Sequence, residues 1–167
     1  PTEQPIQLVS PDPLCTHNFI GFTYPSTIYG QAITAYQWNF GNGDLSTQQT
    51  DSTQYVQGAY TVSLNVTTTD GCTHTLNRDV TILEGPQAAF SAVFNSGLNA
   101  QVFTDQSTIL SGNINQYEWN YGDASPNEFI QNPTHSYQNA GSYLVTLTVT
   151  SDNGCSNSYD SIVSSSD

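Results

Sequence analysis

The chain of 167 residues has no lysine, no methionine and one arginine, Arg78, against 14 acidic side chains, for a formal net charge of −13. Without a cluster of cations nothing can neutralise phosphates, which excludes nucleic acid and anionic membrane surfaces as partners. Charged residues make up only 9% of the chain, against roughly 25% in ordinary globular domains. The surface must therefore be polar through Ser, Thr, Asn and Gln. The carboxylates are scattered rather than blocked, so the negative charge reads as solubility and self-repulsion. Apolar runs are short and broken by Thr, Ser or Gly, which excludes a membrane-spanning or inserted segment. Catalytic patterns are missing too. His17, His74 and His135 stand apart, with no His-x-x-x-His, Cys-x-x-Cys, Gly-x-Ser-x-Gly or phosphate-cradling loop. We therefore expect no enzymatic activity, no catalytic residue and no cofactor.

What the chain does have is a repeated sentence, YQWNFGNGD over 36–44 and YEWNYGDAS over 117–125. Set at an offset of 81 residues, the halves fall into register: Pro5 over Pro86, Phe22-Thr23 over Phe103-Thr104, Tyr36 over Tyr117, Trp38-Asn39 over Trp119-Asn120, Gly41 over Gly122. After a loop two residues longer in the second half, the register continues with Gly58 over Gly141, Tyr60 over Tyr143, Val62 over Val145 and Gly71-Cys72 over Gly154-Cys155. Units this long are domains rather than solenoid turns, which run roughly 20–50 residues. The division expected is a linker over residues 1–5, a first domain over 6–84 and a second over 85–167. The Pro-rich opening PTEQP reads as a linker from something upstream, and the chain as a mature fragment of a longer secreted or surface protein.

Inside each unit the period is two. Tyr60-Thr-Val62-Ser-Leu64-Asn-Val66 and Tyr143 to Val149 alternate apolar with polar residues, the pattern of half-buried strands. Shorter candidates are Ile6–Val9, Asn18–Phe22, Val80–Ile82, Ala88–Phe94 and Gln101–Thr104, separated by turn-formers such as Asp70-Gly71 and Asn153-Gly154. No window carries a helical period. Each unit should be an antiparallel β-sandwich. Trp38 and Trp119, two positions from Phe40 and Tyr121, then fill the gap between sheets, and Gly41 and Gly122 end the strand at a turn. Gly58 and Tyr60, like Gly141 and Tyr143, form the matching corner.

These residues resemble the polycystic-kidney-disease (PKD) type domain, whose pattern runs Trp-Asp-Phe-Gly-Asp-Gly, His-x-Tyr, then Gly-x-Tyr-x-Val-x-Leu-x-Val. The second unit carries Trp119 to Asp123, His135-Ser-Tyr137 and Gly141 to Val149; the first carries Trp38 to Gly43 and Gly58 to Val66. The departures are Asn39 and Asn120 for the family's first Asp, Asn42 for its second, Ala124 for a Gly, and no His in the first unit. The resemblance implies two tandem immunoglobulin-like sandwiches in the all-β class, outside the cell, with His135 in a structural hydrogen bond. The Gly-Cys endings and Ser/Thr/Asn-rich surface are similar to repeats of large bacterial adhesins and gliding-motility-associated surface proteins.

In the same alignment Cys15 lies over Ser96, so the first unit holds a pair and Cys155 lacks a partner. A Cys15–Cys72 disulfide is expected, worth about 2–4 kcal/mol and indicating an oxidising compartment. Cys155 is then a buried inert thiol or an intermolecular crosslink. Asp44, Asp70, Asp123 and Asp152 lie in turns, as Asp commonly does, and that role is the better supported; calcium is the ligand their carboxylates would suit best.

The function expected is that of a non-catalytic stalk or spacer in an extracellular or cell-surface protein used for adhesion, with neighbouring repeats of the same chain as partners. The Glu84-Gly85-Pro86 joint restrains bending because Pro fixes φ. Two alternatives stand beside it. Lysine-free strand edges favour a homo-oligomeric fibre or hook. Exposed tyrosines, with Tyr24, Tyr29, Tyr55, Tyr137 and Tyr159 as candidates, favour an accessory domain that grips a surface glycan or protein for a secreted hydrolase.

Overall fold

Fourteen strands and no helix are present among the described residues of the computed structural model, which are 4–10 and 13–165. The linker expected over residues 1–5 lies, as far as residue 3, outside them. The chain divides into two units, Pro1–Leu83 and Glu84–Asp167. In chain order the first holds β1 (Gln7–Leu8), β2 (Phe19–Thr23), β3 (Thr27–Ile28), β4 (Gln31–Asn39), β5 (Leu45–Ser46), β6 (Thr50–Gln54), β7 (Gly58–Thr68) and β8 (Thr73–Ile82). The second holds β9 (Phe90–Asn95), β10 (Ala100–Asp105), β11 (Ile114–Asn120), β12 (Thr134–His135), β13 (Gly141–Ser151) and β14 (Ser156–Ser165).

Each unit is two antiparallel sheets. In the first, β1-β2-β6 form one sheet and β3-β4-β7-β8, with β5 on β4, form the other. In the second, β12-β10-β9 and β11-β13-β14 do the same. The all-β sandwich expected from the two-residue period is the architecture found. Alternation in β7 sends Val62, Leu64 and Val66 inward and leaves Thr61 and Asn65 outside; Val145, Leu147 and Val149 of β13 repeat this. They meet Ile20 and Phe22 of β2 in one unit and Phe103 of β10 in the other.

The tryptophans are the largest side chains of each core, with Trp38 2% and Trp119 0% exposed. Trp38 stacks on Phe40 with centroids 5.9 Å apart, while Trp119 meets Phe103 at 5.3 Å and Phe90 edge-on at 5.1 Å. Both strands carrying them have an irregularity at the same place, between Ile33 and Ala35 and between Ile114 and Gln116. Such a bulge adds one residue and re-aims the side chains after it. In the first unit the lone arginine also braces the fold: Arg78 Nη1 on β8 donates to the Ile6 carbonyl at 2.6 Å, just before β1 of the opposite sheet.

Candidate functional site

The repeated motif forms the end of a strand and the corner after it. Trp38 and Trp119 stand one residue from the ends of β4 and β11, and their indole Nε1 groups donate to the carbonyls of Gln48 (2.7 Å) and Ile130 (3.0 Å). The following Asn39 and Asn120 each accept, through Oδ1, the backbone N–H two residues on, Gly41 at 2.9 Å and Gly122 at 3.0 Å. An amide oxygen performs this task as a carboxylate would, so Asn at this position keeps the corner and sheds a charge. At φ 81° and 74° both glycines are left-handed. A Cβ would also lie 2.7 Å from the Thr61 carbonyl oxygen at Gly41 and 2.4 Å from that of Leu144 at Gly122. The corner is therefore pressed against the long strand, and only glycine fits.

Beside it sits a polar cluster whose composition differs between units. In the second, Asp123 Oδ1 accepts the N–H (3.0 Å) and Oγ (2.6 Å) of Ser125, while Oδ2 lies 2.8 Å from His135 Nε2. An ionised carboxylate only accepts, so Nε2 carries the proton. Burial opposes ionisation of Asp123, yet the bonds from Ser125 and His135 outweigh it and hold its carboxyl at about 2. The His135 ring stacks on Tyr121 at 3.9 Å. In the first unit Asn42 aligns with Asp123 and Thr53 with His135. Asn42 Oδ1 accepts Asp44 N at 3.0 Å, and its Nδ2 donates to Thr53 Oγ1 and the Gln54 carbonyl, both at 2.9 Å. Thr53 in turn donates to Asp44. A threonine thus takes the place of the histidine missing from the first unit.

Tyrosines close both corners. Tyr55 and Tyr137 donate to the carbonyls of Phe40 (2.9 Å) and Tyr121 (3.2 Å), and Tyr60 and Tyr143 to those of Val56 (3.1 Å) and Asn139 (2.8 Å). Tyr137 stacks on Tyr143 at 3.9 Å, and Tyr55 tilts against Tyr60 at 4.6 Å. Burial, helped by Asp44, Glu128 and Asp123 in turn, pushes the hydroxyls of Tyr55, Tyr121 and Tyr137 well above their ordinary range. Gly58 and Gly141 open β7 and β13, where a Cβ would make ordinary contact with these tyrosine rings.

The tyrosines named as candidate surface aromatics therefore separate. Tyr24 and Tyr55 are core residues, 1% and 5% exposed, and Tyr137 is half-buried in the corner. Tyr29 and Tyr159 stand outside. Tyr55 went unrecognised as the counterpart of Tyr137 because the loop between the paired stretches changes length between the units, which shifts the alignment by one residue there.

The cysteine pairing expected from the alignment is not the one formed. Cys72 is a free, exposed thiol, whereas Cys15 and Cys155 are the disulfide-bonded cysteines. Geometry accounts for the failure of Cys15–Cys72. Cys15 bridges Leu83, just past the last residue of β8, and Cys72 immediately precedes its first. Ten residues of strand, about 34 Å at roughly 3.4 Å each, separate them, whereas a disulfide tolerates Cα atoms up to about 7 Å apart. Cys155, buried and bonded, is neither an inert thiol nor free for an intermolecular crosslink.

The four turn aspartates are engaged one by one. Asp44 and Asp123 serve the corners, Thr68 donates to Asp70, and Asp152 accepts Asn113 N–H at 3.2 Å. Among the described residues no three His, Cys, Asp or Glu side chains form a group able to hold a metal. Ser125 donates to Asp123 rather than to His135, so the nucleophile and base contact of a hydrolytic triad is not made within this cluster. What the arrangement does is fix a corner.

Each unit is thus a two-sheet antiparallel sandwich of the immunoglobulin-like kind, with the same corner built in both copies. The chain belongs to the PKD domain family, which it matches twice, over residues 2–82 and 84–165. Among solved structures it is similar to the PKD1 domain of the Vibrio cholerae metalloprotease PrtV, at 32% identity over 50% of this chain and 99% of that one, with a TM-score of 0.46. It is also similar to the PKD1 domain of Vibrio anguillarum Epp, at 28% identity over 48% of this chain and 92% of that one, with a TM-score of 0.45. Domains of this family are in general non-catalytic modules. No helix among the described residues is long and apolar enough to cross a membrane.

Proposed function

We propose that the chain is a non-catalytic spacer within a long extracellular or cell-surface protein, holding a distal adhesive part away from its anchor. The observation that carries this is the corner. In both copies its tryptophan and the tyrosine that closes it, Tyr55 or Tyr137, spend their polar groups on backbone carbonyls and pack their rings on the core, while its glycine N–H is held by an asparagine side chain. The residue types that vary between copies, Asp123 with His135 against Asn42 with Thr53, preserve packing and change acid–base chemistry, the reverse of what a conserved reaction would require. Disulfide-bonded cysteines suit an oxidising exterior.

The test is a swap in surface display, with the chain placed between an anchor and a binding module of known protein target. Deleting both units should weaken capture of target-coated beads, and replacing them with an unrelated pair of β-sandwiches of equal length should restore it. Full capture after deletion would refute the spacer role. A second reading, self-assembly, is favoured by β8 and β14, ten-residue strands that among the described residues pair along one edge only and are free of Lys and Pro. Sedimentation velocity at high concentration distinguishes it, since a strict monomer removes it.

A further inference from the structure

We infer that the second unit carries a cleft for an extended peptide strand of another protein, a strand without acidic side chains, at a site independent of the spacer role. The cleft lies between β9 and β14, which among the described residues each pair along one edge only. Two hollows of about 320 Å³ each open there. One is walled by Phe90, Ala92 and the β14 stretch Ser161 to Ser164, the other by Asn99, Asn139 and Ser165, and both by Phe94 and Gln101. With those two walls in common, they are parts of one cleft.

Gln101 is the anomaly that points to a ligand. Phe94 pairs with Gln101 and Ala92 with Phe103, so Gln101 and Phe94 share the inward face with the core residue Phe103. The repeat offset puts Ile20, fully buried, at the place of Gln101 in the first unit. The second unit buries a carboxamide there, 4% exposed, which is costly unless its polar groups are bonded. Nε2 donates once, to the Ser164 carbonyl at 3.1 Å. Its other N–H and Oε1 have no partner among the described residues, and Oε1 is not sealed from solvent, so this side of the amide opens onto the cleft. A donor beside an acceptor is what a peptide group pairs with. Phe94, though inward-facing, stays 39% exposed and supplies an apolar wall.

The first unit shows what covers this place. There Leu14 to Thr16 run parallel beside Leu83, just past β8: Leu83 N–H donates to the Leu14 carbonyl at 2.8 Å, and Thr16 N–H to the Leu83 carbonyl at 2.9 Å. The equivalent Asn95 to Gly97 turn back towards β10 instead, with Asn95 Oδ1 accepting the N–H groups of Gly97 at 3.0 Å and Leu98 at 3.2 Å. That leaves the edge of β14 open to an added strand. Charge selects the strand. No charged side chain lines either hollow, and a chain of net charge −13 repels acidic peptides and further copies of itself.

Selection of phage-displayed random peptides on the intact chain tests this. The recovered peptides should be poor in Asp and Glu, and a synthetic representative should slow amide exchange in β9 and β14. Gln101→Ile, which installs the first unit's residue, removes two hydrogen bonds to the peptide and should weaken its binding about tenfold or more by fluorescence anisotropy. Phe94→Ala should weaken it as well, and a cooperative thermal transition in each variant separates loss of contact from loss of fold. No peptides beyond those from a bare-support control, acidic peptides, protection placed elsewhere, or binding indifferent to Gln101→Ile would overturn the assignment. A dimer of the free chain that Gln101→Ile dissociates in sedimentation would overturn it in favour of a second copy.

Discussion

Replacing Gly122 by alanine tests whether the corner is a packing device. Its φ of 74° costs an L-residue about 1–2 kcal/mol. The new Cβ would also sit 2.4 Å from the Leu144 carbonyl oxygen and 3.1 Å from its nitrogen, both backbone atoms of β13 that cannot rotate away. Overpacking of this kind costs about 1–3 kcal/mol, so the total is about 3 kcal/mol. For a unit of this size, 1 kcal/mol moves the midpoint by roughly 4–8 °C. Differential scanning calorimetry of the intact chain should therefore show a transition lowered by about 12–24 °C. Gly43→Ala is the matched control. It has φ 102° but nothing within 4 Å of its Cβ, so only the conformational cost applies and the shift should be less than half as large. Equal shifts for the two variants would mean that the contact with β13 contributes nothing, and the reasoning would fail.

Acid should loosen the second unit selectively. The folded Asp123 carboxyl is held at about 2, below its ordinary 3.8, so its contribution is complete above the ordinary value and is lost as pH falls towards 2. That contribution is about 2 kcal/mol, and Asp123→Asn should flatten the pH dependence of the midpoint between pH 4 and 2. Base acts in the opposite sense. Tyr55, Tyr121 and Tyr137 have raised folded values, so stability is retained below about pH 10 and declines above it as unfolded tyrosines ionise. Absorbance at 295 nm should show these hydroxyls ionising only with unfolding. Thiol titration of the native chain should find one reactive group, and peptide mapping should place it at Cys72; labelling of Cys15 or Cys155 without reductant would contradict the assignment.

The strands legible in the sequence were those that bury alternate side chains in a strong core. Tyr60–Val66 lies inside β7 and Tyr143–Val149 inside β13. By contrast β14, SNSYDSIVSS, buries only Val163 fully, and β6, TDSTQ, only Thr53. These strands exist because a neighbour offers its backbone hydrogen bonds, a cause that leaves little mark on local polarity. The corner was legible as a repeat, since Trp, Gly and Tyr recur at fixed spacing. Its hydrogen bonds were not, because Thr53 replaces His135 with a side chain of different type and reach. Cysteine pairing failed for a related reason. Alignment between repeats compares positions in sequence, whereas a disulfide depends on distance, and the length of β8 keeps Cys15 and Cys72 apart.

The central claim, that the chain is built twice over to hold a shape, is most directly tested by single-molecule force spectroscopy of the chain with its disulfide reduced. The account predicts two separate force peaks per chain, each releasing on the order of 270 Å, the length of roughly 80 residues drawn out at about 3.3–3.6 Å each. A featureless extension without peaks would contradict it.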